Sequence, residues 1–294
     1  MNAAIVISWL PLATLPAFVV VFAPSDWPRW GFMWVLAGAI FVGCKWLTWR
    51  TTPATGVSAG RQFGYLALWP GLDAGAFLHA PNRRVPDASE WWFAGGKLFF
   101  GAMLTAFVVP RISPHRELAR GWAGMIGMVF LLHFGSFHLL SLAWRTRGIT
   151  ARPIMYWPIL ATSVSDFWGR RWNTAFRDLT HRYLFRPLAA RMNATAALVA
   201  GFVVSGLVHE LVITVPAGAA HGGPTAFFLI QTGAIVLERS SPGRRLGLTR
   251  GPRGRAFTML VLLAPLPLLF PPPFVRGVIV PFLDWVSDCA SSAS

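Results

Sequence analysis

Long uncharged hydrophobic runs dominate the pattern of the chain. The strongest is GWAGMIGMVFLLHFGSFHLLSLAW at 121–144, which contains no Asp, Glu, Lys or Arg. Because a helix of about 20 mostly apolar residues crosses a bilayer, runs of this kind predict membrane spans. Seven runs qualify, and an eighth is short and broken by prolines; they cover 2–23, 30–49, 91–110, 121–144, 194–215, 224–238, 256–270 and 274–286. The pattern predicts an all-α polytopic membrane protein with about seven or eight transmembrane helices.

One apolar stretch between the spans is too short to cross a bilayer. FGYLALWPGLD at 63–73 is as apolar as a span, but it has about half the required length. We therefore expect an interfacial or re-entrant helix here, in addition to the spans.

A second stretch, SVSDFWGRRWNTAFRDLTHRYLFRPL at 163–188, combines charged and aromatic residues in an otherwise apolar chain. At helical spacing its polar and aromatic side chains separate onto two faces. The polar stripe is Asp166, Arg170, Asn173 and Arg177, and the apolar stripe is Trp168, Trp172, Phe176, Leu179 and Tyr183. Ser163 followed by Asp166 resembles a capping box. The stretch predicts one amphipathic helix in the membrane interface, although a simple anchor does not need Asp166 and Asn173.

Composition and charge agree with a membrane protein and indicate its orientation. The chain has 54% hydrophobic residues, 15 Trp, 23 Phe and a net charge of +15. The loops on the side of the N-terminus carry 19 Lys and Arg, against four in the other loops. By the positive-inside rule, the N-terminus and the large loop 145–193 are expected in the cytoplasm. The charge suits anionic headgroups or a phosphate-bearing substrate, whereas nucleic acid is not expected because no soluble basic domain is present.

We interpret residues 1–294 as a single multi-pass domain. Within it we expect a motif region at 163–215, a flexible basic loop at 239–255 and a frayed tail at 288–294. The first hydrophobic run lacks a basic leading segment and is expected to be retained rather than removed as a signal peptide. The ratio of 24 Arg to 2 Lys favours a GC-rich bacterial genome, so we expect a bacterial cytoplasmic membrane.

A second polar constellation lies late in the predicted span 194–215, where residues 205–210 read SGLVHE. Ionisable residues inside a span are costly and are functional candidates by default. The pair does not begin a zinc-binding HExxH motif, because position 213 is Ile, and a metal site is not expected. The residues at four-residue steps before His209 are small: Ser205, Gly201 and Ala197. Such a face admits either a neighbouring helix or an alkyl chain, and a buried His that serves only packing remains an alternative.

The two constellations together carry a family resemblance. DFWGRRWN at 166–173, followed some 30 residues later by His209–Glu210 in an apolar run, resembles the wax synthase branch of the membrane-bound O-acyltransferases. WPGLD at 69–73 also resembles an upstream motif of that branch. The chain departs from many relatives in being shorter. The resemblance implies acyl transfer from acyl-CoA to a hydroxyl, with His209 as the catalytic residue and Asn173 as its partner.

The residue chemistry suits these implied roles. A neutral imidazole at His209 can take the proton of an attacking alcohol, and the amide of Asn173 can donate to the oxyanion. Arg170 and Arg171 present planar guanidinium groups that suit the phosphates of CoA. The remaining residues expected in substrate binding are Asp166, Trp168, Trp172 and Ser205. No cofactor is expected besides acyl-CoA as co-substrate, and Glu210 is expected to contact a neighbouring helix rather than to orient His209.

The acceptor remains open at this point. A hydrophobic alcohol, as in wax ester synthesis, competes with the hydroxyl of a sterol, a terpenoid or another secondary metabolite. A non-catalytic lipid-binding or transport protein is the alternative from a different class, although the paired halves of many transporters are absent from the sequence. The sequence does not indicate an oligomeric state.

Overall fold

The computed structural model describes residues 3–82 and 84–292, and this part of the chain is helical. An isolated bridge between Pro81 and Ile149 is the nearest approach to sheet structure within it. The prediction of an all-α protein is confirmed. The chain divides into two compact units, one formed by residues up to 154 together with those from 275, and one formed by residues 155–274. That the whole chain works as a single domain stays a prediction.

Short and long α-helices follow one another along the described chain. In order they are α1 Ala3–Phe22, α2 Arg29–Arg50, α3 Ala59–Leu68, α4 Ala74–His79, α5 Ala88–Met103, α6 Glu117–Val129, α7 Phe137–Thr146, α8 Val164–Asp166, α9 Thr174–Thr180, α10 Arg186–Ala189, α11 Ala194–His209, α12 Val215–Ala217, α13 Gly223–Arg239, α14 Ser241–Arg245, α15 Gly251–Leu263, α16 Leu266–Leu269, α17 Pro272–Phe274 and α18 Val280–Ser292. Two short 3-10 turns lie at Val109–Arg111 and Pro158–Leu160.

Turns of π-helix continue several of these helices. They lie at Leu104–Val108, Phe130–Ser136, Phe167–Arg171, His181–Phe185, Glu210–Thr214 and Val275–Ile279. Such turns are rare in proteins and frequently mark functional sites. The third lies inside the DFWGRRWN motif, and the fifth begins directly after His209.

Four helices of the described chain are long and apolar enough to cross a membrane, and a bent pair would make a fifth. The four are Arg29–Arg50, Ala88–Arg111, Glu117–Thr146 and Ala194–Ala217, and the pair is Gly251–Leu269 with Pro272–Cys289. Helix α13, which covers the predicted span 224–238, has 17 residues. Its length is therefore about 26 Å, slightly less than the roughly 30 Å hydrocarbon core. These helices identify an integral membrane protein, whereas the count of seven or eight spans stays a prediction.

The short apolar segment at 63–73 folds back against α2 instead of forming a span of its own. Helices α3 and α4 are joined by a bend, and the side-chain amino group of Lys45, buried on α2, holds this bend. Its Nζ donates to the carbonyl oxygens of Tyr65 and Gly71, both at 2.7 Å, and lies 3.6 Å from the centroid of the Tyr65 ring. A buried amino group is tolerated when its donors are paired in this way.

A chain of polar side chains links α5 and α7. Lys97 Nζ lies 2.8 Å from His138 Nδ1, and His138 Nε2 lies 3.2 Å from Glu90 Oε1. The same carboxylate oxygen accepts a hydrogen bond from Arg145 Nη1 at 2.6 Å. Because an ammonium group is only a donor, Nδ1 of His138 is the acceptor and its Nε2 carries the hydrogen. Polar groups of two spans thus satisfy one another.

Regular structure extends into two segments expected to be irregular. Helix α14 and the start of α15 lie within the basic segment 239–255, and Ser240 Oγ caps α14 by accepting from the backbone N–H of Gly243 at 3.1 Å. Helix α18 continues to Ser292, so residues 288–292 of the expected frayed tail are helical. Residues 293–294 of that tail lie outside the described residues.

Candidate active site

The DFWGRRWN motif begins on a helix whose N-terminus is capped twice. Ser163 Oγ accepts from the backbone N–H of Asp166 at 2.9 Å, which confirms the predicted capping contact. The carboxylate of Glu238, fully buried on α13, accepts from the backbone N–H groups of Val164 at 2.8 Å and Ser165 at 2.9 Å. Free N–H groups at a helix start favour negative charge, so Glu238 stabilises the start of the motif helix.

The prediction of one helix over 163–188 is wrong, because the chain turns at Asn173. Trp172 is extended, and Asn173 has a left-handed conformation with a φ of 42°. Asn is one of the few residues other than Gly that adopt this conformation readily. The break separates Asp166 and Arg170 from Arg177, so the four residues of the expected polar stripe do not lie on one helix.

The side chain of Asn173 caps the helix that follows the turn. Its Oδ1 accepts from the backbone N–H of Phe176 at 3.4 Å, and its own backbone N–H lies 3.1 Å from the sulfur of Met155. Because the carbonyl end of the amide faces the helix, the Nδ2 end is the free donor. Nδ2 has no hydrogen-bond partner among the described residues.

Asp166 holds both arginines of the motif. The Asp166 side chain is buried, and its two oxygens accept from Arg170 Nε at 3.0 Å and Arg171 Nε at 2.6 Å. Arg171 also donates from Nη1 to the carbonyl of Trp157 at 3.1 Å. The Arg170 side chain is 78% exposed and that of Arg171 is 21% exposed, so Arg170 offers the more accessible guanidinium group.

These charged side chains line a cleft of about 310 Å³. Its lining consists of Tyr156, Thr162, Asp166, Arg170 and Arg171. Two guanidinium groups face one carboxylate here, so the cleft has a net positive charge. The outer nitrogens of Arg170 and Nη2 of Arg171 are not used in the contacts above, and planar guanidinium groups suit phosphate or carboxylate groups.

The two tryptophans of the motif contribute to aromatic packing within this unit. Trp172 stacks on Phe167 with 5.5 Å between ring centroids. Trp168 packs edge-on against Phe202 of α11 at 5.9 Å and lies 5.6 Å from Phe228 of α13. Both rings are therefore part of the packed interior rather than a free aromatic stripe.

His209 lies at the end of α11, where the π-helical turn begins. Its Nδ1 lies 2.7 Å from the backbone carbonyl oxygen of Ser205. A carbonyl oxygen can only accept, so Nδ1 carries the hydrogen and Nε2 of the neutral ring has a free lone pair. The imidazole is half-buried, with the ring of Phe228 at 4.7 Å between centroids. This tautomer presents Nε2 as a base.

Glu210 connects α11 to the N-terminal end of α13. Its Oε1 accepts from the backbone N–H of Thr225 at 3.1 Å and from the hydroxyl of the same residue at 3.0 Å. Its Oε2 accepts from the Thr214 hydroxyl at 2.6 Å. The prediction that Glu210 contacts a neighbouring helix, instead of orienting His209, is confirmed.

The small residues of α11 divide into two functions. At Gly206 an added Cβ would lie 2.7 Å from the Cα of Thr225, so this glycine allows α13 to approach. At Gly201 no described atom outside this turn of the helix itself lies within 4 Å of such a Cβ. The Ser205 hydroxyl donates to the carbonyl of Gly201 at 3.1 Å. The face ending at His209 is therefore open at Gly201, which is compatible with a groove for an alkyl chain.

Helix α13 brings the two constellations together through an aromatic path. The ring of Phe228 contacts both His209 and Trp168. The hydrogen bonds of Asn173 and His209, by contrast, go to separate partners within the described chain. Sequence reasoning did not identify Phe228, Gln231 or Glu238 as functional candidates. Gln231 and Glu238 could have been found, because polar residues within a predicted span are functional candidates by default.

Residues 151–230 match the profile of the "Membrane bound O-acyl transferase family". The matched segment contains both the DFWGRRWN motif and His209. This segment is therefore similar to the membrane bound O-acyl transferase family. The resemblance inferred from these residues is thus confirmed.

Named relatives of this segment occur in plants. A "Long-chain-alcohol O-fatty-acyltransferase" of Simmondsia chinensis is 30% identical over 151 residues, which is 45% of this chain and 40% of the relative. A "Probable long-chain-alcohol O-fatty-acyltransferase 9" of Arabidopsis thaliana is 33% identical over 152 residues, which is 47% of this chain and 44% of the relative. An "Acyl-CoA--sterol O-acyltransferase 1" of the same plant is 39% identical over 62 residues, which is 19% of this chain and 18% of the relative. The chain covers less than half of each relative.

Proposed function

We propose that the protein transfers an acyl group from acyl-CoA to the hydroxyl of a hydrophobic alcohol, as a wax ester synthase does. The observation that carries the proposal is the hydrogen bond from His209 Nδ1 to the Ser205 carbonyl at 2.7 Å. It leaves Nε2 as the basic nitrogen of a neutral imidazole in an apolar span. A base of this kind suits the removal of an alcohol proton at neutral pH.

The proposed reaction proceeds through a tetrahedral intermediate. His209 Nε2 takes the hydroxyl proton while the alcohol oxygen forms a bond to the thioester carbonyl carbon. The carbonyl oxygen becomes an oxyanion, to which Nδ2 of Asn173 donates a hydrogen bond. Collapse of the intermediate breaks the carbon–sulfur bond, and the imidazolium returns its proton to the departing thiolate of CoA. An ester and free CoA are the products.

The positively charged cleft suits the polar end of the acyl donor. The exposed guanidinium group of Arg170 and the fixed group of Arg171 bind phosphates of CoA in this proposal, and buried Asp166 orients them. Trp168 and Trp172 take part in the aromatic packing of the same unit. The open face of α11 at Gly201 then accommodates an alkyl chain that ends near the imidazole.

The acceptor and the location follow the same reasoning. Two of the relatives above are named for long-chain alcohols, so a long-chain alcohol is the first acceptor to test. A sterol or terpenoid hydroxyl is the second, because another relative is named for a sterol. The excess of Lys and Arg in the loops on that side supports a cytoplasmic N-terminus and motif in this proposal, and the prevalence of Arg over Lys supports a bacterial membrane.

Mass spectrometry of lipids tests the proposal directly. Cells expressing the wild type should accumulate an ester that is absent from cells expressing His209→Ala, while both proteins insert into the membrane. His133→Ala is the matched control, because His133 is another half-buried histidine within a span and lies outside the proposed site. Equal ester levels in wild type and His209→Ala would reject His209 as the base. Binding of lipid without any consumption of acyl-CoA would instead favour a non-catalytic lipid-binding protein.

A further inference from the structure

Gln231 is a polar residue in an apolar helix, and its side chain is fully buried. A buried amide without partners is unfavourable, so both ends of such a side chain are usually hydrogen-bonded. The Oε1 atom of Gln231 accepts from the indole Nε1 of Trp168 at 3.3 Å. Its Nε2 donates to the carbonyl of Val261 on α15 at 2.9 Å. The amide therefore connects α13 both to the motif and to α15.

The indole held by Gln231 packs beside the proposed base. Trp168 contacts Phe202 on the helix that carries His209, and it contacts Phe228 on the helix that carries Gln231. Phe228 in turn lies 4.7 Å from the imidazole of His209 between ring centroids. A rotation of the indole would change the packing on Phe228 and hence the surface against which the imidazole rests.

We propose that Gln231 is a positioning residue of the acyl-transfer site, which fixes the indole of Trp168 and, through Trp168 and Phe228, the orientation of the imidazole of His209. The proposal rests on the proposed function. Gln231 does not act on substrate in this scheme, because its two amide atoms are already paired. Its removal should therefore lower kcat while the affinity for acyl-CoA, which depends on the charged cleft, changes little.

The variant Gln231→Met tests this role, because it keeps the length of the side chain and removes both hydrogen bonds. We expect kcat to fall at least about fivefold, since imprecise placement of a base slows the chemical step, and KM for acyl-CoA to stay within about twofold. Thr232→Val is the matched control. Thr232 is the next residue on α13 and is also buried, and its hydroxyl donates to the Phe228 carbonyl of its own helix at 3.1 Å. This control should keep the wild-type kcat.

A double substitution distinguishes positioning through Trp168 from a purely structural effect. In a Trp168→Phe background the indole donor is gone, so Gln231→Met should lower kcat by a clearly smaller factor than it does in the wild type. An equal additional loss in both backgrounds would overturn the proposed route through Trp168. An active Gln231→Met with unchanged kcat would overturn the positioning role itself.

A spectroscopic measurement tests the contact without relying on turnover. In protein labelled with 5-fluorotryptophan, the fluorine signal that disappears in Trp168→Phe belongs to Trp168. This signal should shift or broaden in Gln231→Met and remain in place in Thr232→Val. An unchanged signal in Gln231→Met would overturn the proposal even if kcat fell. A wild type that forms no ester would reject the proposed function, and that result is distinct from an active Gln231→Met.

Discussion

Asn173 combines three properties that single substitutions can separate. It adopts a left-handed backbone conformation with a φ of 42°, its Oδ1 caps α9, and its Nδ2 is the proposed donor to the oxyanion. Asn173→Gly keeps the turn and removes the whole side chain. Asn173→Asp keeps the turn and the capping oxygen, and it replaces the donor with an acceptor. Asn173→Ala removes the cap and the donor and strains the turn.

The expected changes in stability and in rate differ in size and in pattern. A left-handed residue with a Cβ costs about 1–2 kcal/mol, and loss of the cap costs about 0.5–2 kcal/mol, so the alanine variant should lose about 1.5–4 kcal/mol of stability. Glycine at a cap costs only a few tenths of a kcal/mol. Aspartate at a helix start is as good a cap as asparagine. Loss of an oxyanion donor, by contrast, lowers kcat about 10²–10³-fold.

The assay compares thermal unfolding in detergent with ester formation by the purified protein. All three variants of Asn173 should be slow, and only the alanine variant should be clearly less stable. Asn193→Ala is the matched control, because Asn193 caps α11 by accepting from the backbone N–H of Ala196 at 2.8 Å. It should lose stability and keep its kcat. The reasoning is refuted if the glycine and aspartate variants retain kcat within about threefold, since Asn173 would then be a turn residue only.

Two further substitutions test buried polar contacts. Lys45→Met leaves the carbonyl groups of Tyr65 and Gly71 unpaired, so hydrogen exchange should become faster in residues 59–79; an unchanged exchange rate there would contradict the role given to Lys45. Glu238→Gln replaces one of the two carboxylate oxygens that accept at the start of the motif helix. The protein should lose about 1–3 kcal/mol of stability, which a lower melting temperature would show. Glu117→Gln at an exposed ion pair is the control and should change stability by less than about 1 kcal/mol.

Hydrophobic periodicity predicted the helices because it reports how apolar positions repeat along the chain. It failed at Asn173, since the stripe of polar residues continues through the turn and neither Gly nor Pro marks the break. An asparagine followed by Thr174 is a capping signal, but the same residue types occur within helices. The pairing of Ser163 with Asp166 was predictable because both partners lie within one turn of helix.

Contacts between distant segments could not be predicted from the spacing of residues. Glu238 reaches the motif from 74 residues away, and Gln231 reaches Trp168 from 63 residues away. Both partners depend on how α13 packs, which local pattern does not encode. The identity of the candidate base was accessible because His209 is an unusual residue in an apolar run, whereas its tautomer required the position of the Ser205 carbonyl.

The hydrogen bond that sets the tautomer of His209 uses a main-chain atom, and every amino acid at position 205 supplies that carbonyl. No point substitution of the partner can remove it, and selection cannot be seen acting on a partner side chain. A search for an invariant acidic residue beside this histidine would therefore overlook how the proposed base is prepared. The arrangement can also be built into a designed site. A single histidine placed four residues after an accessible helical carbonyl has its tautomer fixed by that carbonyl.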